Sequence, residues 1–153
     1  MLYLLHLMGA AEQGVLRKAE FVAGMGRAGA SRVSELRGRL PALRAQLTRA
    51  AHFSPFFIWA YDFQCEVGQK TVSLETAVEL SKLMITPERW PLVGRWVQFL
   101  EAGKKTVSKD CWKQLLPYMT TCHADVARHD ENVAWPSMLD DFRDFVAKQP
   151  KPR

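Results

Sequence analysis

Between Thr86 and Gly103 the chain carries Trp90, Val93, Trp96, Val97 and Leu100 at intervals of one and three residues, its longest apolar stripe. That is the period of a helix with one face on a core. Thr86-Pro87 ahead of it reads as an N-cap followed by proline at the first helical position, and Gly103 closes it. Ser54-Pro55 repeats the device and opens an aromatic helix in which Phe56, Phe57, Trp59, Ala60 and Phe63 must be largely buried, ending at Gly68-Gln69-Lys70. No stretch alternates apolar and polar residues for long enough to predict a strand. The expected fold class is all-α, a compact multi-helix domain.

The remaining segments fit the same scheme. MLYLLHLMG at the start is apolar and stops at Gly9. It lacks the positive n-region of a signal peptide and reads as the end of a buried helix that begins upstream. Phe21, Val22 and Met25 mark a helix over Leu16 to Met25, terminated by Gly26 and Gly29. Ser31 is expected to cap a helix through Leu40 and Pro41 to start another, giving two short antiparallel helices with Leu36, Leu40, Leu43 and Leu47 inward. Ser73 opens a helix with Leu74, Ala77, Val78, Leu80 and Leu83 facing inward. One domain, residues 1–147, is expected, followed by a basic tail, residues 148–153.

Two acidic positions stand out in the last third. Ser108 suits the N-cap of a helix whose stripe is Trp112, Leu115, Leu116 and Met119, so Asp110 points outward, at the positive end of the helix dipole. Pro136 suits a first helical position, with Leu139, Phe142 and Val146 on one face and Asp140 and Asp144 on another. With Ala134 just before the second helix, two outward aspartates would form a shallow acidic notch if the helices are neighbours. A solvated acidic helix face is the simpler reading of the same pattern.

Charge and cysteine usage narrow the function. The net charge of +5 is uneven: residues 1–50 hold eight Lys and Arg against three Glu, whereas residues 106–146 hold four basic residues against seven acidic ones. Arg32, Arg37, Arg39, Arg44 and Arg49 would have to carry any RNA contact, and a solvated arginine-rich helix face explains them as simply. Nucleic acid is not the expected partner. The 3 cysteines, Cys65, Cys111 and Cys122, form no CxxC pair, and an odd number suits a reducing compartment. No apolar run approaches the ~20 residues that span a bilayer. Asp130-Glu131-Asn132 has neither the glycine nor the spacing of a calcium loop. Cys122, His123 and His129 lack a fourth zinc ligand and sit in what reads as a polar connection. Cys111, beside a core tryptophan and an aspartate, reads as a packed thiol. No phosphate loop, triad motif or HExxH occurs, so no catalytic residue, metal or cofactor is expected.

SKDCW followed by DENVAWPSMLDDF resembles the C-terminal signature of the defective-in-cullin-neddylation family, whose members carry a potentiating-neddylation domain. Glu20, Phe21, Gly24 and Met25, and Gly68-Gln69-Lys70 after the aromatic helix, resemble further family features, and the likeness runs over nearly all 153 residues. The resemblance implies EF-hand-like helix pairs without metal loops and a non-catalytic co-ligase, monomeric, in nucleus and cytoplasm. It would hold the basic C-terminal winged-helix domain of a cullin through an Asp-Ala-Asp patch, here Asp110, Ala134 and Asp140. It further implies a hydrophobic pocket for the acetylated N-terminal methionine of the neddylation conjugating enzyme. The pocket maps onto Leu4, Leu5, Met8, Gln13, Leu16, Phe63, Leu80 and Leu83, all of which also suit plain core positions. The rival functions are a helical interaction module with other partners and a basic RNA-binding module.

Overall fold

Every helical stripe read from the sequence has a helix in the structure, though Trp90, the first residue of the longest, lies ahead of it. The computed structural model describes residues 1–104 and 106–149, so Pro150 to Arg153 of the expected basic tail lie outside the described residues. Among the described residues there are eight α-helices, one 3-10 turn and no strand. The chain divides into two units, Met1–Gln64 and Cys65–Arg153.

The first unit holds α1 (Leu2–Met8), α2 (Lys18–Arg27), α3 (Val33–Gln46) and α4 (Ala50–Gln64). Gly9 ends α1 at φ 68, donating its N–H to the carbonyls of His6 and Leu5 in the left-handed cap that favours glycine. Helix α1 packs on α2 and α4. The α1–α2 approach depends on Gly24, where a Cβ would lie 2.1 Å from Met8 Cγ and 2.6 Å from Met8 Cα. Gly24→Ala is therefore expected to lower the melting temperature, since overpacking typically costs ~1–3 kcal/mol and here exceeds the ~1 kcal/mol that alanine gains over glycine in a helix. Gly26→Ala, in the same helix with nothing within 4 Å, should be neutral or stabilising. Equal effects of the two substitutions in a thermal melt would rule out the close approach.

Two expected helix starts are corrected here. Pro41 does not begin a helix but lies inside α3, and Pro55 lies inside α4, which starts a turn earlier at Ala50. An internal proline costs ~3 kcal/mol because it removes one backbone hydrogen bond and crowds the preceding turn. Both prolines are exposed, as are Arg37 and Ala51 four residues before them, so water can take the freed carbonyls. What the longer helices gain is apolar burial. Leu36 and Leu43, seven residues apart, are both buried along α3, and Phe53, two residues before Pro55, is buried against Phe57 at 5.4 Å.

The second unit holds α5 (Leu74–Met84), α6 (Val93–Gly103), α7 (Lys109–Thr121), a 3-10 turn (Val126–Arg128) and α8 (Ser137–Ala147). Thr86-Pro87 opens a turn rather than α6. Arg89 and Trp90 donate to the Thr86 carbonyl, and Pro91 disfavours helical geometry at Trp90, so the helix waits until Val93. Trp90 is nonetheless fully buried.

The core of this unit is an aromatic cluster around Phe142 of α8, whose ring centroid lies 5.6 Å from Trp90, 5.3 Å from Trp96, 5.6 Å from Phe99 and 6.3 Å from Tyr118. Ser81 is buried in α5, donating to the Ala77 carbonyl at 2.7 Å while Trp96 Nε1 donates to its Oγ at 3.2 Å. This buried hydroxyl lies on the inward face that Leu83 was expected to share. Ala77, Leu80, Ser81 and Met84 form the buried i, i+3, i+4, i+7 line, which turns Leu83 outward to 68% exposure.

Candidate functional site

The three residues of the expected acidic patch all belong to the second unit. Ser108 caps α7 as expected, its Oγ accepting from Cys111 N at 3.1 Å, and Asp110 in the first turn is exposed. A carboxylate there is favoured by the helix dipole and remains open to solvent. Alongside Trp112, Leu115 and Met119, α7 buries Cys111 and Tyr118, while Leu116 is only half-buried. Pro117 lies inside the helix, exposed like the two prolines above.

Ala134 is exposed in the segment leading to α8. Asp130 Oδ1 accepts from both the backbone N and the side-chain Nδ2 of Asn132 at 2.9 Å, and the Trp135 N–H donates to Val133 O at 2.8 Å. The half-buried Trp135 ring stands edge-on to Tyr118 of α7 at 5.2 Å, fixing the backbone beside Ala134. Pro136 is the N-cap of α8 rather than its first residue, so the helix starts one position later than expected, at Ser137. Asp140 follows in the first turn with its side chain 46% exposed.

Rings and ion pairs join these elements. Arg143 of α8 binds Glu131 at 3.0 Å and Asp144 at 2.9 Å, tying the 130–135 segment to the helix. Asp140 Oδ1 lies 2.9 Å from Nε2 of His129, and His129 Nδ1 lies 3.3 Å from the Tyr118 hydroxyl. Sequence reasoning missed this support. Cys122 and His129 were placed in a polar connection, yet both are buried, and only His123 of that trio is exposed. A second stripe, Cys111, Leu115, Tyr118 and Cys122 at i, i+4, i+7 and i+11, would have revealed Cys122 and Tyr118.

The site offers charge rather than a nucleophile. Burial, with the neighbouring Asp110 charge, pushes the Cys111 thiol up to about 12. Burial likewise raises Cys122 and the Tyr118 phenol. Thiols held protonated near neutral pH are poor nucleophiles and poor metal ligands. Among the described residues no three His, Cys, Asp or Glu side chains are grouped so as to hold a metal ion, and no helix is long and apolar enough to cross a membrane. An open groove of about 450 Å³, with Ile85, Val93 and Val97 along it and the Lys82–Glu101 pair beside it, carries no reactive group.

The residues of the expected methionine pocket are divided between the units. In the first, Leu4 and Leu5 are half-buried on α1, Met8 is buried, Leu16 is 40% exposed, and Phe63 is half-buried with its ring stacked on Trp59 at 4.5 Å. Gln13 is exposed, and its Nε2 donates to the Phe63 carbonyl at 2.8 Å, bringing those two together. In the second unit Leu80 is buried and Leu83 exposed.

Residues 35–145 match the family model described as cullin binding. The chain is 32% identical over 143 residues to human DCN1-like protein 5, covering 93% of this chain and 60% of that protein. It is 31% identical over 150 residues to DCN1-like protein 4 of Drosophila melanogaster, with 97% and 60% covered. Against DCN1-like protein 4 of Danio rerio the identity is 34% over 143 residues, with 93% and 51% covered. The chain thus spans roughly half to three fifths of the length of these curated relatives.

Proposed function

The chain belongs to the DCN1-like, cullin-binding family, and from that premise we propose that it is a non-catalytic co-ligase of cullin neddylation, acting as a monomer in nucleus and cytoplasm. In this reading Asp110, Ala134 and Asp140 grip the basic winged-helix end of a cullin. The observation that carries the reading is the pair of accessible carboxylates, Asp110 and Asp140, on first turns of α7 and α8, with the exposed Ala134 on the segment before α8. Two accessible negative charges and a small residue suit a partner that brings lysine or arginine close. A second attachment to the conjugating enzyme would raise the effective concentration of acceptor lysine near the charged thioester, and bridging needs no reactive group of its own. Titration of the chain with a recombinant cullin C-terminal domain tests the first contact. Saturable binding that weakens with salt is expected, and absence of binding at low salt would overturn it.

The second contact, the site for an acetylated N-terminal methionine, is assigned within the first unit to Leu4, Leu5, Met8, Gln13, Leu16 and Phe63. An N-acetyl-methionine peptide from the conjugating enzyme is expected to bind more tightly than the same peptide with a free amine. A charged ammonium loses hydration among apolar side chains, and acetylation removes that cost. Isothermal titration of the two peptides decides it: equal affinities, or binding by neither, would separate the conjugating-enzyme contact from the cullin contact.

A further inference from the structure

The Asp140 carboxylate has a buried neighbour that the sequence motif does not include. His129 follows the 3-10 turn, its side chain is 1% exposed, and its Nε2 stands 2.9 Å from Asp140 Oδ1 without being aligned for a hydrogen bond. On the far side Nδ1 meets the Tyr118 hydroxyl at 3.3 Å, and the Tyr118 and Trp135 rings lie 5.7 Å and 6.2 Å from the imidazole. An ionised carboxylate only accepts, so the ring places a proton on Nε2 toward Asp140 and leaves Nδ1 to accept from Tyr118 in the neutral form. A buried donor without a partner is costly, which favours Asp140 Oδ1, 2.9 Å away, as its acceptor. The other charged groups nearby have their hydrogen bonds elsewhere, Arg143 with Asp144 and Glu131 and Asp130 with Asn132, though Arg143 also feels the Asp140 charge and Asp130 that of His129.

We propose that His129 is a positioning residue for the candidate cullin contact Asp140. It holds one carboxylate oxygen and fixes the side-chain rotamer, so that the second oxygen is presented to a lysine or arginine of the partner. The proposal rests on the reading of Asp140 as a cullin contact and adds the part that sets its geometry. A side chain ordered before binding loses less freedom in the complex. Tyr118 orders the imidazole in turn, so the chain of contacts runs from the core of α7 through His129 to the surface of α8.

The test measures cullin C-terminal domain affinity for the full chain with substitutions at both positions. His129→Phe keeps an aromatic ring and removes both nitrogens, and its affinity is expected to fall about three- to tenfold, the cost of ordering one free side chain. His129→Gln, whose amide nitrogen reaches near the Nε2 position, should recover most of that loss. In an Asp140→Ala background, His129→Phe should change nothing further. Should His129→Phe fail to fold, His129→Asn replaces it, since its shorter amide reaches toward Tyr118 and not Asp140, and the same loss is expected. Wild-type affinity for the His129 variant, or an equal loss with and without Asp140, overturns the positioning role. If Asp140→Ala itself binds as wild type, the cullin-contact reading fails and the proposal falls with it. A weak Asp140→Ala beside an unaffected His129→Phe overturns the proposal alone.

Discussion

Asp110→Lys combined with Asp140→Lys is expected to abolish detectable binding to a cullin C-terminal domain while the helical circular dichroism stays unchanged. Asp110 is exposed and the Asp140 side chain is 46% exposed, so neither substitution buries a charge, and the one cost to the core is the buried His129 Nε2, which loses Asp140 at ~1–3 kcal/mol. Truncating one partner of a close interfacial charge pair typically costs ~2–5 kcal/mol, and reversing two charges adds repulsion to that loss. A micromolar complex has only ~8 kcal/mol to lose. Lysine at position 110 also opposes the α7 dipole, at a further ~1 kcal/mol or less, so a fall in melting temperature accompanies the loss. A double variant that keeps wild-type affinity would remove Asp110 and Asp140 from the interface.

Phe142→Ala is expected to be strongly destabilising. The ring is fully buried and meets Trp90, Trp96, Phe99 and Tyr118 at centroid distances of 5.3 to 6.3 Å. Deleting it removes transfer energy and leaves a cavity whose walls are rigid rings that relax poorly, so a loss of ~3–5 kcal/mol is expected. Against a total stability of ~5–15 kcal/mol that is a large fraction, and a domain of this size should melt ~10 °C lower. Chemical denaturation of Phe142→Ala beside Phe145→Ala checks it. Phe145 is half-buried with its ring 5.5 Å from Phe99, so the two substitutions should differ by several-fold in cost. Equal losses would mean that Phe142 is not the centre of the cluster.

The helices were legible in the sequence because each has a stripe long enough to fix its period, and the Ser108 cap with Asp110 outside it followed from the same stripe. Proline misled in both directions. At Pro41 and Pro55 it sits on the wet side of a helix whose buried leucines or phenylalanines carry the chain through, and nothing in the dipeptide itself reports that. At Pro87 a second proline, Pro91, decides the outcome, holding Trp90 out of helical geometry so that α6 begins at Val93. Leu83 was placed inward because leucine is apolar, yet Ser81 occupies that line, and its burial makes sense only once Trp96 is seen donating to it across fifteen residues. His129 was the hardest to read. Its burial comes from Tyr118 and Trp135, which no local period connects to it.

The burial pattern of the indoles decides what the protein would report spectroscopically. Trp90, Trp96 and Trp112 are fully buried, whereas Trp135 is half-buried and adjoins the exposed Ala134. Fluorescence from the second unit therefore combines three fully buried indoles with one that is only partly covered, its Nε1 inside. A protein that covers Ala134 changes the surroundings of that single indole and leaves the other three as they were, so the segment before α8 carries a built-in optical probe of its own occupancy.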